Sequence, residues 1–163
     1  MNDLPELLQR FKRGPELLAT LLTGAAGREF DYTPAPGKWS IRQIMAHLVD
    51  SEMMAAGRMR RMIAEENPPM QAWDQNAWAT RLDYATRKPS DCLVTFRIVR
   101  KENYDLLHAL PEDAYLRTSE HPKRGTMTLY DVLNLYTGHA ETHADQIRGL
   151  RDAYRDAKAR GEI

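Results

Sequence analysis

Histidines are the residues of this chain whose type and spacing most directly suggest chemistry. His139 and His143, within Gly138-His139-Ala140-Glu141-Thr142-His143, stand four residues apart, and on a helix such a pair shares one face, where a single ion can bridge it. At about 100° per residue, Leu129, Val132, Tyr136, Ile147 and Leu150 fall within about 40° of His143, so the pair points toward a core. His47 lies beside a second apolar stripe that contains Ile44, Ser51 and Met54. Burying several imidazoles is costly unless their nitrogens find partners. Three neutral imidazoles converging on a divalent cation satisfy that need at once, and a three-histidine set leaves a position open, as catalytic zinc sites do. The HxxxH spacing alone is met more often by histidines hydrogen-bonded in a core or at its edge; stripe position and His47 bring the metal reading level with that one, so both stand on the residues themselves.

The neighbours of these histidines supply candidates for a supporting or substrate-facing role. Gln146 follows His143 by three residues on the same side and can hydrogen-bond a ring or a bound water; a surface amide is the alternative. Asp50 is about 60° from His47 on the wheel, whereas Glu52 is about 140° away, a poor angle for a base or an orienting acid. His108 and His121 have no partner at ligand spacing and read as solvated or locally hydrogen-bonded. Cys92 reads as a small buried apolar residue. There is no serine–histidine–acid triad, phosphate-binding glycine loop or CxxC pair.

Four long helices are predicted to position these groups. Leu4, Leu7, Leu8, Phe11, Leu17, Leu18, Leu21 and Leu22 recur at helical spacing, and Gly14-Pro15 predicts a kink or break in that first helix. Ser40-Ile41-Arg42-Gln43 has a capping-box pattern, opening a second helix that carries Ile41, Ile44, Leu48, Ala55, Met59 and Met62 to about Glu66, before Asn67-Pro68-Pro69. The five methionines from Met53 to Met70 read as core filling. Residues 68–89 form a connector too long for a turn between antiparallel neighbours, and its Trp73 and Trp78 either anchor it or act as a lid. Ser90 is expected to cap a third helix carrying Leu93, Phe96, Val99, Asn103, Leu106, Leu107 and Leu110, which ends at Pro111. Thr128, with Asp131 in the first turn, opens the fourth. No stretch alternates with period two, so the expected class is all-α: a four-helix bundle with a long crossover between helices 2 and 3, which then run parallel.

Composition bounds the rest. The chain has 163 residues, 23 basic against 23 acidic and 42% hydrophobic, which suits one globular domain over residues 1–163. The balanced charge argues against a nucleic-acid partner and against a charged disordered tail. One cysteine cannot form an intrachain disulfide, and MNDLPELLQRFKRG lacks the apolar core of a signal peptide or anchor. No run approaches the roughly 18 apolar residues of a membrane helix. These features predict a cytoplasmic protein without a membrane partner.

Gly37-Lys38-Trp39-Ser40-Ile41-Arg42, then His47-Leu48 and Ser51-Glu52, resemble the DinB-like family. Gly138-His139, His143 and Gln146-Ile147 are similar to its HxxxHxxQI pattern, and His121-Pro122, Gly125 and Thr128-Leu129 match its approach to the last helix. Gly14-Pro15 with the leucines after it fits the family's opening, so the resemblance spans nearly the whole chain. It implies an up-down-down-up bundle in which His47, His139 and His143 hold nickel, zinc or a similar divalent ion, and it implies a homodimer. The family includes thiol S-transferases using bacillithiol or mycothiol, a mycothiol-dependent maleylpyruvate isomerase, and members known as metal-dependent hydrolases. The expected function is therefore a metal-dependent enzyme that transfers a low-molecular-weight thiol to a small molecule, or hydrolyses one. The rival from another class is a non-catalytic metal-binding bundle that serves as an interaction module.

Overall fold

Helix α1 (Leu4–Leu22) runs unbroken through Gly14-Pro15, where the sequence predicted a kink or break. The structure, a computed structural model, describes residues 3–163; Met1 and Asn2, the first residues of the segment read above as neither signal nor anchor, lie outside them. Proline at position 15 lacks the N–H that would reach the Phe11 carbonyl one turn earlier. Arg100 Nη1 donates to that carbonyl instead, at 3.0 Å. Gly14 makes room for it: a Cβ there would meet Arg100 Nη1 at 3.1 Å. The pair that reads locally as a helix breaker is thus the socket for a distant guanidinium.

Helix α2 (Ile41–Ala64) opens with both bonds of its capping box, Gln43 N–H to Ser40 Oγ and Ser40 N–H to Gln43 Oε1. The connector that follows contains a short helix, α3 (Gln75–Arg81), capped by Asp74. Helix α4 (Pro89–His108) starts one residue before the expected Ser90 cap. Proline suits the first helical position, where no N–H is needed, and Ser90 Oγ bonds Asp91 instead of capping. Two four-residue strands, β1 (Thr118–His121) and β2 (Gly125–Thr128), form an antiparallel hairpin that the sequence did not announce, because neither is long enough to show period-two alternation. Met70 N–H donates to Glu120 O at 2.8 Å, tying the connector to the hairpin. Helix α5 (Leu129–Ala159) begins at Thr128 with the expected capping box to Asp131.

The topology is up-down-down-up, and long-range side-chain partners trace it. Between α1 and α5, Asp3 meets Tyr130, Arg10 meets Glu141, and Arg151 reaches the carbonyls of Leu21 and Thr23, so both numbers rise together and the helices are parallel. Helices α2 and α4 are parallel as well: Glu52 pairs with Arg100 and Arg60 with Asn103. Across α2 and α5 the numbers run oppositely, with Arg58 on Tyr136 and His47 on His139 and His143, so these helices are antiparallel. The core divides into two clusters. One gathers Leu7, Phe11, Met59, Met62, Val132 and Leu133; the other gathers Leu18, Ile44, Leu48, Phe96, Ala144 and Ile147 around the histidine end. Met59, Met62 and Met70 fill core positions, whereas Met53 is exposed. No described helix is long and apolar enough to cross a membrane.

Candidate metal centre

Helices α2 and α5 bring His47, His139 and His143 together. Each offers a ring nitrogen, and these three atoms lie within 4.8 Å of one another. His139 Nε2 is 3.1 Å from His47 Nε2 and 3.1 Å from His143 Nε2. Antiparallel packing puts the second turn of α2 beside the middle of α5, and the four-residue spacing stacks the α5 pair on one face.

Hydrogen bonding among the rings satisfies this arrangement only in part. A neutral imidazole has one N–H and one in-plane lone pair, so His139 Nε2 either donates once or accepts once. At most one of its two 3.1 Å contacts can then be a full two-centre hydrogen bond. Gln146 Oε1 lies 2.8 Å from His143 Nδ1, which places the proton on Nδ1 and leaves Nε2 with a lone pair facing the cluster. Three neutral imidazoles, each able to turn a lone pair inward and with no carboxylate among them, are a donor set for a divalent metal, and metal–nitrogen bonds of about 2.0–2.1 Å span such separations. The residues therefore fit a metal ion.

Their electrostatics agree. Burial, and next the positive charge His143 would carry, lower the pKa of His47 to about 4. Burial, with His143 and His47 beside it, lowers that of His139 to about 3. His143 is lowered by burial too, against the opposing bond from Gln146. All three rings are thus neutral, the form that binds metal, at neutral pH.

Trp39, just before the α2 cap, packs its ring 4.9 Å from the His47 ring, and Trp73 of the connector stacks on it at 5.5 Å and 25°. Trp78 lies against Trp73 with centroids 4.5 Å apart. Trp73 thus both anchors the connector and walls the site. Ser51 Oγ is 3.4 Å from His47 Nε2, while His47 Nδ1 is buried without a hydrogen-bond partner.

The acidic candidates do not join the cluster. Glu52 is fully buried and accepts from Arg100 Nε and Nη2 at 2.9 and 2.6 Å and from Asn103 at 3.0 Å. Asp50 accepts from Arg87 Nη1 at 2.8 Å, though its charge still favours protonation of His47. Cys92 is buried, which pushes its thiol pKa up. His108 stacks on Tyr104, and His121 Nδ1 accepts the N–H groups of Lys123 and Arg124 in the hairpin turn.

Two clefts reach the cluster from different sides. One, of about 520 Å³, is lined by Trp39, Ile44, Leu150, Gln146 and His143. The other, of about 870 Å³, meets His47, Ser51 and His139 and is walled by Trp73, Tyr136 and Arg58. Sequence reasoning missed Arg58, although it follows His47 by eleven residues, three helical turns, and so shares its face.

The family model of the DinB superfamily matches residues 10–147. The chain belongs to the DinB superfamily. Its relatives include "Putative metal-dependent hydrolase OB0782" of Oceanobacillus iheyensis, 30% identical over 137 residues that cover 83% of this chain and 78% of that one. "Putative metal-dependent hydrolase YfiT" of Bacillus subtilis is 28% identical over 144 residues, 88% of this chain and 81% of that one. The solved structure of YfiT, described as a probable metal-dependent hydrolase with an unusual four-helix bundle topology, matches with a TM-score of 0.85 at 26% identity, covering 96% of this chain and 87% of that chain. The three-histidine cluster fits the metal dependence in these names.

Proposed function

We propose that this DinB-superfamily chain is a divalent-metal-dependent enzyme acting on a small molecule, with His47, His139 and His143 as the ligands and nickel or zinc as the ion. The observation that carries it is the convergence of three ring nitrogens within 4.8 Å, with His139 Nε2 3.1 Å from both of the others and able to make only one full hydrogen bond. When bound, such an ion supplies Lewis acidity that makes water or a thiol nucleophilic near neutral pH. The chain's own residues do the rest. Gln146 Oε1 fixes the His143 tautomer, Trp39 and Trp73 confine His47 and exclude water from its faces, and burial keeps the rings unprotonated. The clefts admit a small molecule to the histidine edge.

Hydrolysis is the reaction the relatives' names support. Transfer of a low-molecular-weight thiol is favoured by a separate observation: two clefts of different character meet at one cluster, as two organic reactants require. The same reading takes the chain as one domain over residues 1–163, cytoplasmic and homodimeric. A panel of esters, amides and phosphoesters, and of thiols paired with electrophiles, is run on the protein as purified, after chelation and after re-addition of metal. Turnover that disappears with the chelator and returns with the ion is expected. No metal-dependent turnover, together with a sharp fall in melting temperature on chelation, would leave the histidines a structural role only.

A further inference from the structure

The larger cleft is cationic, although the chain as a whole carries no net charge. Arg58 of α2 and Lys123 and Arg124 of the hairpin turn line it together with His121. Among the described residues none of these three cations forms an ion pair. Arg58 donates to Tyr136 OH at 2.7 Å and to the Gln71 carbonyl, both uncharged, and its Nε is buried without a partner. Elsewhere in the chain arginines are routinely paired, as Arg10, Arg42, Arg87, Arg100 and Arg151 are. One carboxylate, Asp74, also lines the cleft, but its Oδ1 already accepts the N–H groups of Asn76 and Ala77 at the start of α3.

We infer that this cleft is a subsite for an oxyanion, a carboxylate or a phosphate, on the small molecule that the histidine centre acts on. The inference deepens the proposed function and rests on it for the reaction, though not for the binding. An unpaired guanidinium that keeps N–H donors beyond its bonds to Tyr136 and Gln71 offers charge-assisted hydrogen bonds to an oxyanion. Two further cations, Lys123 and Arg124 of the hairpin turn, line the same cleft and outnumber its one carboxylate, Asp74, so the field there favours an anion. Position matters as well. Arg58 holds the Tyr136 hydroxyl, and the Tyr136 ring lies 6.3 Å from the His139 ring, so an anion at Arg58 places the rest of its molecule along the wall leading to the histidines. The smaller cleft presents Trp39, Ile44 and Leu150 and suits an apolar group instead.

The test is direct binding at pH 8, read by calorimetry and by quenching of tryptophan fluorescence, to which Trp73 of that cleft contributes. The probes are succinate, inorganic phosphate and the neutral analogue succinamide. Wild type is compared with Lys123→Gln/Arg124→Gln, two exposed turn positions, and with Arg58→Gln. Each preparation is also analysed for metal and checked by circular dichroism. Succinate or phosphate is expected to bind while succinamide does not. The turn double variant should weaken binding at least about fivefold and Arg58→Gln about tenfold, with metal content unchanged. Preference between succinate and phosphate names the oxyanion. Equal binding of succinamide, no anion binding, or affinity unchanged in both variants overturns the subsite. Protein that is free of metal yet binds anions in an Arg58-dependent way would overturn the metal reading and leave the subsite standing.

Discussion

Replacing Arg100 by methionine is expected to destabilise the protein far more than loss of an ordinary ion pair. Arg100 is 2% exposed, its guanidinium lies 3.9 Å from the Phe11 ring centroid and 4.7 Å from that of Phe96, and it meets both oxygens of Glu52. Methionine fills the same slot but leaves Glu52, 1% exposed, with Asn103 as its one remaining donor among the described residues. Stranding one member of a buried pair costs about 3–5 kcal/mol. The Phe11 carbonyl, which Pro15 cannot serve, loses its donor too, at about 1–3 kcal/mol. With partial relaxation the loss should be about 4 kcal/mol, and for a chain of 163 residues that lowers the melting temperature by roughly 8–16 °C. Two rescues test the cause. Adding Glu52→Gln removes the stranded charge and should recover about 1–3 kcal/mol. Adding Pro15→Ala to Arg100→Met returns an N–H to Phe11 and should recover about 1 kcal/mol. The assay is urea and thermal unfolding followed by circular dichroism. A loss below about 1 kcal/mol, or single effects that simply add, would refute this account of the core.

Three further outcomes follow from the same geometry. In metal-free protein, stability should be flat above pH 6.5 and fall as the pH drops toward 4, because the unfolded chain takes up histidine protons near 6.5 while folded His47 resists to about 4. That is about 3 kcal/mol for His47 alone, with His139 adding in the same direction; urea midpoints that do not move across this range would contradict it. Gln146→Leu should weaken metal affinity by about 10–100-fold through loss of the His143 Nδ1 bond, measured by competition with a chromophoric chelator, and unchanged affinity would mean that Gln146 orients nothing. Ser40→Ala removes the α2 capping box and should cost about 1 kcal/mol in urea unfolding, with metal content preserved.

Much of the frame was legible because its signals are local. Ser40 with Gln43, and Thr128 with Asp131, are caps that act within one turn, and both appear where the sequence put them. The inward direction of His139 and His143 follows from helical periodicity, and that periodicity also places His47 on the face that meets them. What stayed hidden depends on distant partners. Gly14-Pro15 predicts a break until Arg100 arrives from α4 to serve Phe11. The wheel angle turns Glu52 away from His47, but nothing local shows that Arg100 and Asn103 of α4 receive it. The hairpin is held by the chain tucked against it, so its four-residue strands carry no pattern of their own. Trp73 reaches His47 through the fold of a connector that periodicity does not describe.

The central claim, that three convergent imidazoles hold one divalent ion, is tested most directly by elemental analysis of protein purified without an affinity tag. Wild type is compared with the His47→Ala/His139→Ala/His143→Ala variant, with circular dichroism to confirm that both are helical. About one nickel, zinc or similar ion per chain in wild type and close to none in the variant is predicted. Equal metal content in the two folded proteins would contradict it.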